Sequence, residues 1–146
     1  DKIGDMDEKQ YFTRGCTALL DAVGLTIRKM ENIVRHQPDC NVVMIIITDG
    51  YENASREYTS KKVKQMVSDK REAGWEFIFL GANIDAVETA DTIGVARACA
   101  ANYHSDSAGL GVVYGALSEA ICDVRSSGRV KKKSLNVVRE DFEKRK

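Results

Sequence analysis

The chain lacks a long apolar run, a cysteine pair and any net charge, and each absence removes a class of function. No hydrophobic stretch approaches the length needed to span a bilayer, and no signal peptide precedes the first expected helix, so a membrane role is not expected. The four cysteines, Cys16, Cys40, Cys99 and Cys122, form no Cys-x-x-Cys pair and have no histidine at zinc spacing. They read as reduced thiols of a cytoplasmic protein rather than a disulfide or metal framework. Gly-x-Ser-x-Gly, P-loop and Gly-x-Gly-x-x-Gly patterns are all missing, which leaves little to support an enzyme.

What is present is ordinary for a globular domain: 146 residues, 43% hydrophobic and 30% charged, enough for one core. Elements alternate along it. After Thr17, apolar residues at Leu19, Val23, Ile27, Met30 and Val34 draw one stripe down a helix, and Pro38 closes it. Val42–Ile47 is a six-residue apolar run. Tyr58-Thr-Ser-Lys opens a helix bearing Val63, Met66 and Val67 that stops near Gly74. Glu76–Leu80 forms the next strand, Asp85 caps a short helix with Val87, Ala90 and Ile93, and a weaker strand lies around Ala98–Tyr103. The last long helix starts near Ser105 or Asp106 and carries Leu110, Val113, Leu117, Ile121 and Val124 on one face. Three strands, each followed by a helix, predict an α/β fold: a three-layer, Rossmann-like open sheet, mostly parallel.

The sharpest signal is Asn41-Val-Val-Met-Ile-Ile-Ile-Thr-Asp-Gly-Tyr-Glu-Asn53. A β-branched run of this kind reads as a strand buried on both faces, within a parallel sheet. Asp49 then falls at the strand's C-terminal end, where open α/β sheets bind ligands, and Gly50 lets the chain turn. A strand with an Asp-Gly turn explains the segment equally well by itself. A phosphatase of the haloacid-dehalogenase kind also places an aspartate here, but needs a second carboxylate two residues away. Ile47 and Tyr51 occupy those positions.

Upstream lies Thr13-Arg-Gly-Cys-Thr-Ala-Leu-Leu-Asp-Ala22. Together with Ile47-Thr-Asp-Gly50, Glu52-Asn53 and Trp75-Glu-Phe-Ile-Phe-Leu-Gly-Ala-Asn-Ile-Asp85, it resembles the von Willebrand factor A domain, in its intracellular, bacterial-type form. The likeness runs from about Tyr11 to about Ser126. It implies a divalent-cation adhesion site on the sheet's C-terminal edge, at which a carboxylate of a partner protein completes the metal shell. Gly15-Cys16-Thr17 matches the family's threonine loop, with Thr17 in the ligand position, and Asp49 matches its aspartate. Gly15, Cys16, Gly50, Tyr51, Glu52 and Asn53 are then the partner-binding loops. The family's Asp-x-Ser-x-Ser loop has no counterpart here, since Asp106-Ser107 lacks the rest of the pattern. The expectation is a partial domain over residues 1–127, missing that part through truncation, gene fragmentation or drift.

Thr17 and Asp49 supply hard oxygens, suited to Mg²⁺, Ca²⁺ or Mn²⁺ and poor for zinc; two are too few for tight binding. Thr17 also fits as the cap of a helix starting at Ala18. Asp21, in the first turn, is expected to serve the helix dipole, and Cys16 to be a small packing residue. His36 and His104 appear solitary. Residues 128–146 hold eight basic residues against three acidic ones. No aromatic is interleaved with Lys131-Lys132-Lys133 to stack on bases, so a solvated, loosely docked tail is expected rather than a nucleic-acid contact. Its Leu135, Val138 and Phe142 fall at helical spacing. The first reading is thus a binding module for an unidentified protein ligand. A small metal-dependent hydrolase using Asp49, and a basic-tail contact with nucleic acid or membrane, are the alternatives. A missing neighbour strand would also leave the Val42–Thr48 edge open to self-association.

Overall fold

The computed structural model describes residues 16–37 and 39–146; Gly15 and Pro38 lie outside them. Eight α and β elements follow in order: α1 (Leu19–Val34), β1 (Val43–Thr48), α2 (Ser60–Glu72), β2 (Glu76–Gly81), α3 (Ala86–Thr92), β3 (Ala100–Asn102), α4 (Ser107–Ser127) and α5 (Asn136–Lys144). The strands form one open sheet in the order β1-β2-β3, and both pairings are parallel. Helices flank it on both faces, so the architecture is α/β and Rossmann-like.

The alternation of side chains along β2 explains the layers. Phe77 and Phe79 point to one face, where they join Val23 and Ile27 of α1, Val63 and Val67 of α2, and Ala86 and Ala90 of α3. Ile78 and Leu80 point to the other, against Val113, Ala116 and Leu117 of α4 and Leu135 and Val138 beside and within α5. A strand buried on both faces is therefore present, but it is β2. Among the described residues β1 pairs on one side only; Val43, Met44 and Ile45 are half-buried and Ile47 is 42% exposed.

Local chemistry sets the helix ends. Thr59, Asp85 and Asp106 each accept an amide from three residues on, those of Lys62, Glu88 and Gly109, which caps α2, α3 and α4. Gly128 ends α4 at φ 72°, the left-handed conformation that glycine adopts without a Cβ clash.

The tail departs from expectation. Residues after Gly128 pack down as a docked helix, with Ser134, Leu135 and Val138 buried. Two of the apolar residues at helical spacing, Leu135 and Val138, find a surface on α4 and β3, and burial there outweighs the solvation of the surrounding charge. Arg139 donates to the Ala98 and Ala100 carbonyls, and Arg145 links Asp106 to Asp141. His104 is not solitary: its ring stacks on Phe142 with centroids 4.6 Å apart. Among the described residues no helix is long and apolar enough to cross a membrane.

Candidate functional site at the sheet's C-terminal edge

The loop after β1, which carries Asp49, meets the residues just before α1, Thr17 among them, at the sheet's C-terminal edge. Thr48 shapes the turn: its hydroxyl donates to the Gly50 carbonyl at 2.9 Å and accepts the Gly50 amide at 3.3 Å. Gly50 then lies so close to Thr17 that a Cβ on it would stand 3.2 Å from the Thr17 hydroxyl oxygen. A reciprocal hook joins the loops, because the Thr17 amide donates to Asn53 Oδ1 at 2.8 Å and the Asn53 amide to the Thr17 carbonyl at 3.0 Å. Asp49, next to Gly50, is exposed.

Behind the hook sits a second brace. Glu52 accepts four hydrogen bonds, from the amides of Leu20 (2.8 Å), Ala54 (2.9 Å) and Ser55 (2.7 Å) and from the Ser55 hydroxyl (2.7 Å). That hydroxyl accepts the Asp21 amide at 3.0 Å. The first turn of α1 is thus capped from the loop after β1. This corrects the expectation for Thr17: α1 begins at Leu19, and its preceding residue Ala18 makes no side-chain cap. Asp21 returns the contact, accepting the amides of Arg56, Glu57 and Tyr58 at 2.8–2.9 Å. The Arg56 amide does most to hold the Asp21 carboxyl below its ordinary value; burial opposes it, and the Tyr58 and Glu57 amides add to it. Burial works to raise Glu52, but its hydrogen bonds together prevail and leave it lowered.

Of the expected partner-binding residues, then, Gly50 and Asn53 lie beside Thr17, while the Glu52 carboxylate is committed to backbone amides. Tyr51 is 58% exposed, and its hydroxyl accepts the Asp85 amide at 3.1 Å. Cys16 is exposed rather than packed.

The edge extends past these loops. A cleft of about 570 Å³ is lined by Tyr51, Asn83, Tyr103, His104, Asp106 and Phe142, among others. Asn83 turns the chain after β2 at φ 58°, a left-handed conformation that asparagine tolerates better than most residues. Burial raises the Tyr103 phenol above its ordinary value, and the Asp49 charge adds to the effect. Asn83 lies in the Trp75–Asp85 segment already singled out in the sequence, whereas Tyr103, at the end of the weaker predicted strand, carries no motif of its own.

The described residues contain no group of three or more His, Cys, Asp or Glu side chains able to hold a metal ion. The two expected donors, the Thr17 hydroxyl and the Asp49 carboxylate, are hard oxygens that fit Mg²⁺, Ca²⁺ or Mn²⁺ in kind and leave most of a coordination shell to other groups. No family model matches the chain, and no curated protein or solved structure matches it.

Proposed function

We propose that this edge is a protein-binding site of the von Willebrand A type, in which Thr17 and Asp49 contribute to a divalent-cation contact. The observation that carries the reading is the approach of the Thr17 hydroxyl to Gly50, one residue from Asp49. The segments that carry Thr17 and Asp49, far apart in sequence, meet at this edge, which supports the reading.

A bound Mg²⁺, Ca²⁺ or Mn²⁺ would supply a Lewis-acidic bridge to a carboxylate of the partner protein. The chain's own residues do the rest. Asn53 fixes the Thr17 backbone, Thr48 fixes the turn that carries Asp49, and the Glu52–Ser55–Asp21 brace holds both loops to α1. Two protein oxygens give weak affinity for the metal alone, so the partner's carboxylate is an integral part of the site. The outcome is adhesion without turnover, and the chain is no enzyme on this reading. On the same reading the setting is cytoplasmic, which suits four separate thiols.

The test is retention of a protein ligand on the immobilised chain in Mg²⁺ and in EDTA. Retention that EDTA releases, and that Asp49→Ala removes without changing the melting temperature, supports the reading. Retention indifferent to both contradicts it.

A further inference from the structure

We propose that a cationic track along α2 takes the phosphodiester backbone of single-stranded nucleic acid, without reading its bases. α2 carries five basic residues, and they divide into two kinds. Lys70 is paired with Glu31 at 2.8 Å, and Lys62 lies over the Tyr58 ring, 4.5 Å from its centroid. Lys61, Lys64 and Arg71 have no carboxylate partner among the described residues. These three line a single cleft of about 340 Å³ between α2 and Gly94, and Gln65 and Ser68 add neutral donors to it.

The positive charge continues past this cleft. Arg71 also lines a second recess of about 290 Å³, whose other cation is Arg129, just beyond α4. Among the described residues the one carboxylate lining either recess is Glu76, and it accepts the Val130 amide at 3.2 Å. The acids of α2 stay off the track, since Asp69 accepts the Gln65 amide at 2.7 Å and Glu72 lines neither recess. Carbonyls at a helix end repel anions, but those of Asp69, Lys70 and Arg71 are taken by the amides of Ala73, Trp75 and Gly74. Arg71 is held in place by donating to the Gly94 carbonyl at 3.1 Å, which leaves the rest of its fork for a ligand.

Spacing chooses the occupant. Lys61 and Arg71 are ten residues apart on α2, about 15 Å along its axis. One small anion cannot meet both, whereas a strand with a charge on every unit can. Each phosphodiester also has two unesterified oxygens, which match cations interleaved with the Gln65 and Ser68 donors. A recess of this size takes one flexible strand; a rigid duplex or a flat lipid surface would touch only its rim. The aromatics of the second recess, Trp75 and Phe77, are 7% and 3% exposed, so bases have nothing to stack on and the contact is to the backbone. The run at residues 131–133 is a weaker carrier, because Lys131 is tied to Asp123. The track shares no lining residue with the Thr17–Asp49 loops.

Fluorescence anisotropy of labelled oligo-dT with the full chain, over a salt series, tests the inference. Contacts from the four cations predict that log K falls with log salt at a slope of about −3. Oligo-dT and oligo-dA should bind alike. Lys64→Gln and Arg71→Gln should each reduce the slope by about 0.7, whereas Lys144→Gln, Asp49→Ala and EDTA leave it unchanged. Lys64 is exposed and its side chain makes no hydrogen bond among the described residues, so its variant reads binding even if Arg71→Gln disturbs the Gly94 contact. No binding at low salt would overturn the inference, as would a slope that Lys64→Gln leaves intact or binding lost in Asp49→Ala. So would a clear preference for one base, or poly-glutamate or phosphatidylserine vesicles binding where oligo-dT does not.

Discussion

Glu52→Ala should be the most damaging substitution of a half-exposed residue in this chain. Glu52 binds the Leu20 amide, one of the orphan donors at the start of α1, and orients the Ser55 hydroxyl that receives the next, from Asp21. Alanine removes the first contact outright and leaves Ser55 without its guide. Loss of a helix cap costs about 1 kcal/mol, and hydrogen bonds to a charged acceptor are worth up to about 3 kcal/mol when shielded from water. Solvent reaches this site and replaces part of what is lost, so about 2 kcal/mol is expected. For a chain of this size that lowers the melting temperature by roughly 4–8 °C. The penalty should depend on pH with a definite sign. The folded-state pKa of Glu52 is lowered, so its stabilisation is fully present above the unfolded value near 4.3 and is lost as pH falls through the folded value. The gap between wild type and variant, read by circular dichroism, should be widest at neutral pH and shrink below about pH 4. A melting point within about 1 °C of wild type, or a penalty that stays constant into strong acid, would refute the capping argument.

Stopping the chain after Gly128 removes Leu135 and Val138 from the core, which at about 1.5–3 kcal/mol per buried side chain should cost at least about 3 kcal/mol. A truncated chain that melts like the parent would restore the loosely docked tail. Gly109→Ala drives a Cβ into the His104 carbonyl oxygen and should cost about 1–3 kcal/mol in thermal melts. In the same helix, Gly111→Ala and Gly115→Ala meet nothing within 4 Å and should each add about 0.5–1 kcal/mol. Equal effects at all three glycines would argue against the close approach of α4 to the His104 carbonyl as the cause.

The strand–helix alternation is legible in the sequence because periodicity and capping chemistry are local. Asp85 and Asp106 cap the helices whose starts they mark, and the β2 run lies where its apolar residues predict it. Burial is harder to read. The Val42–Ile47 run is as apolar as β2, yet which strand is enclosed depends on which neighbours pair with it. The tail misleads because composition weighs charge over the whole segment, whereas Leu135 and Val138 need only one complementary surface on α4. Glu52 and Ser55 are invisible as caps, since the amides they bind lie 32 and 34 residues away. Thr17 and Asp49 are found through a motif, and Tyr103 only through the folded edge.

The central claim, that Thr17 and Asp49 serve one cation, is tested most directly by amide resonances of the chain titrated with Mn²⁺. Paramagnetic broadening confined to the loops of Thr17, Asp49 and Gly50, reversed by EDTA and lost in Asp49→Ala, is the predicted result. No selective broadening at millimolar Mn²⁺, or broadening that survives Asp49→Ala, would contradict it.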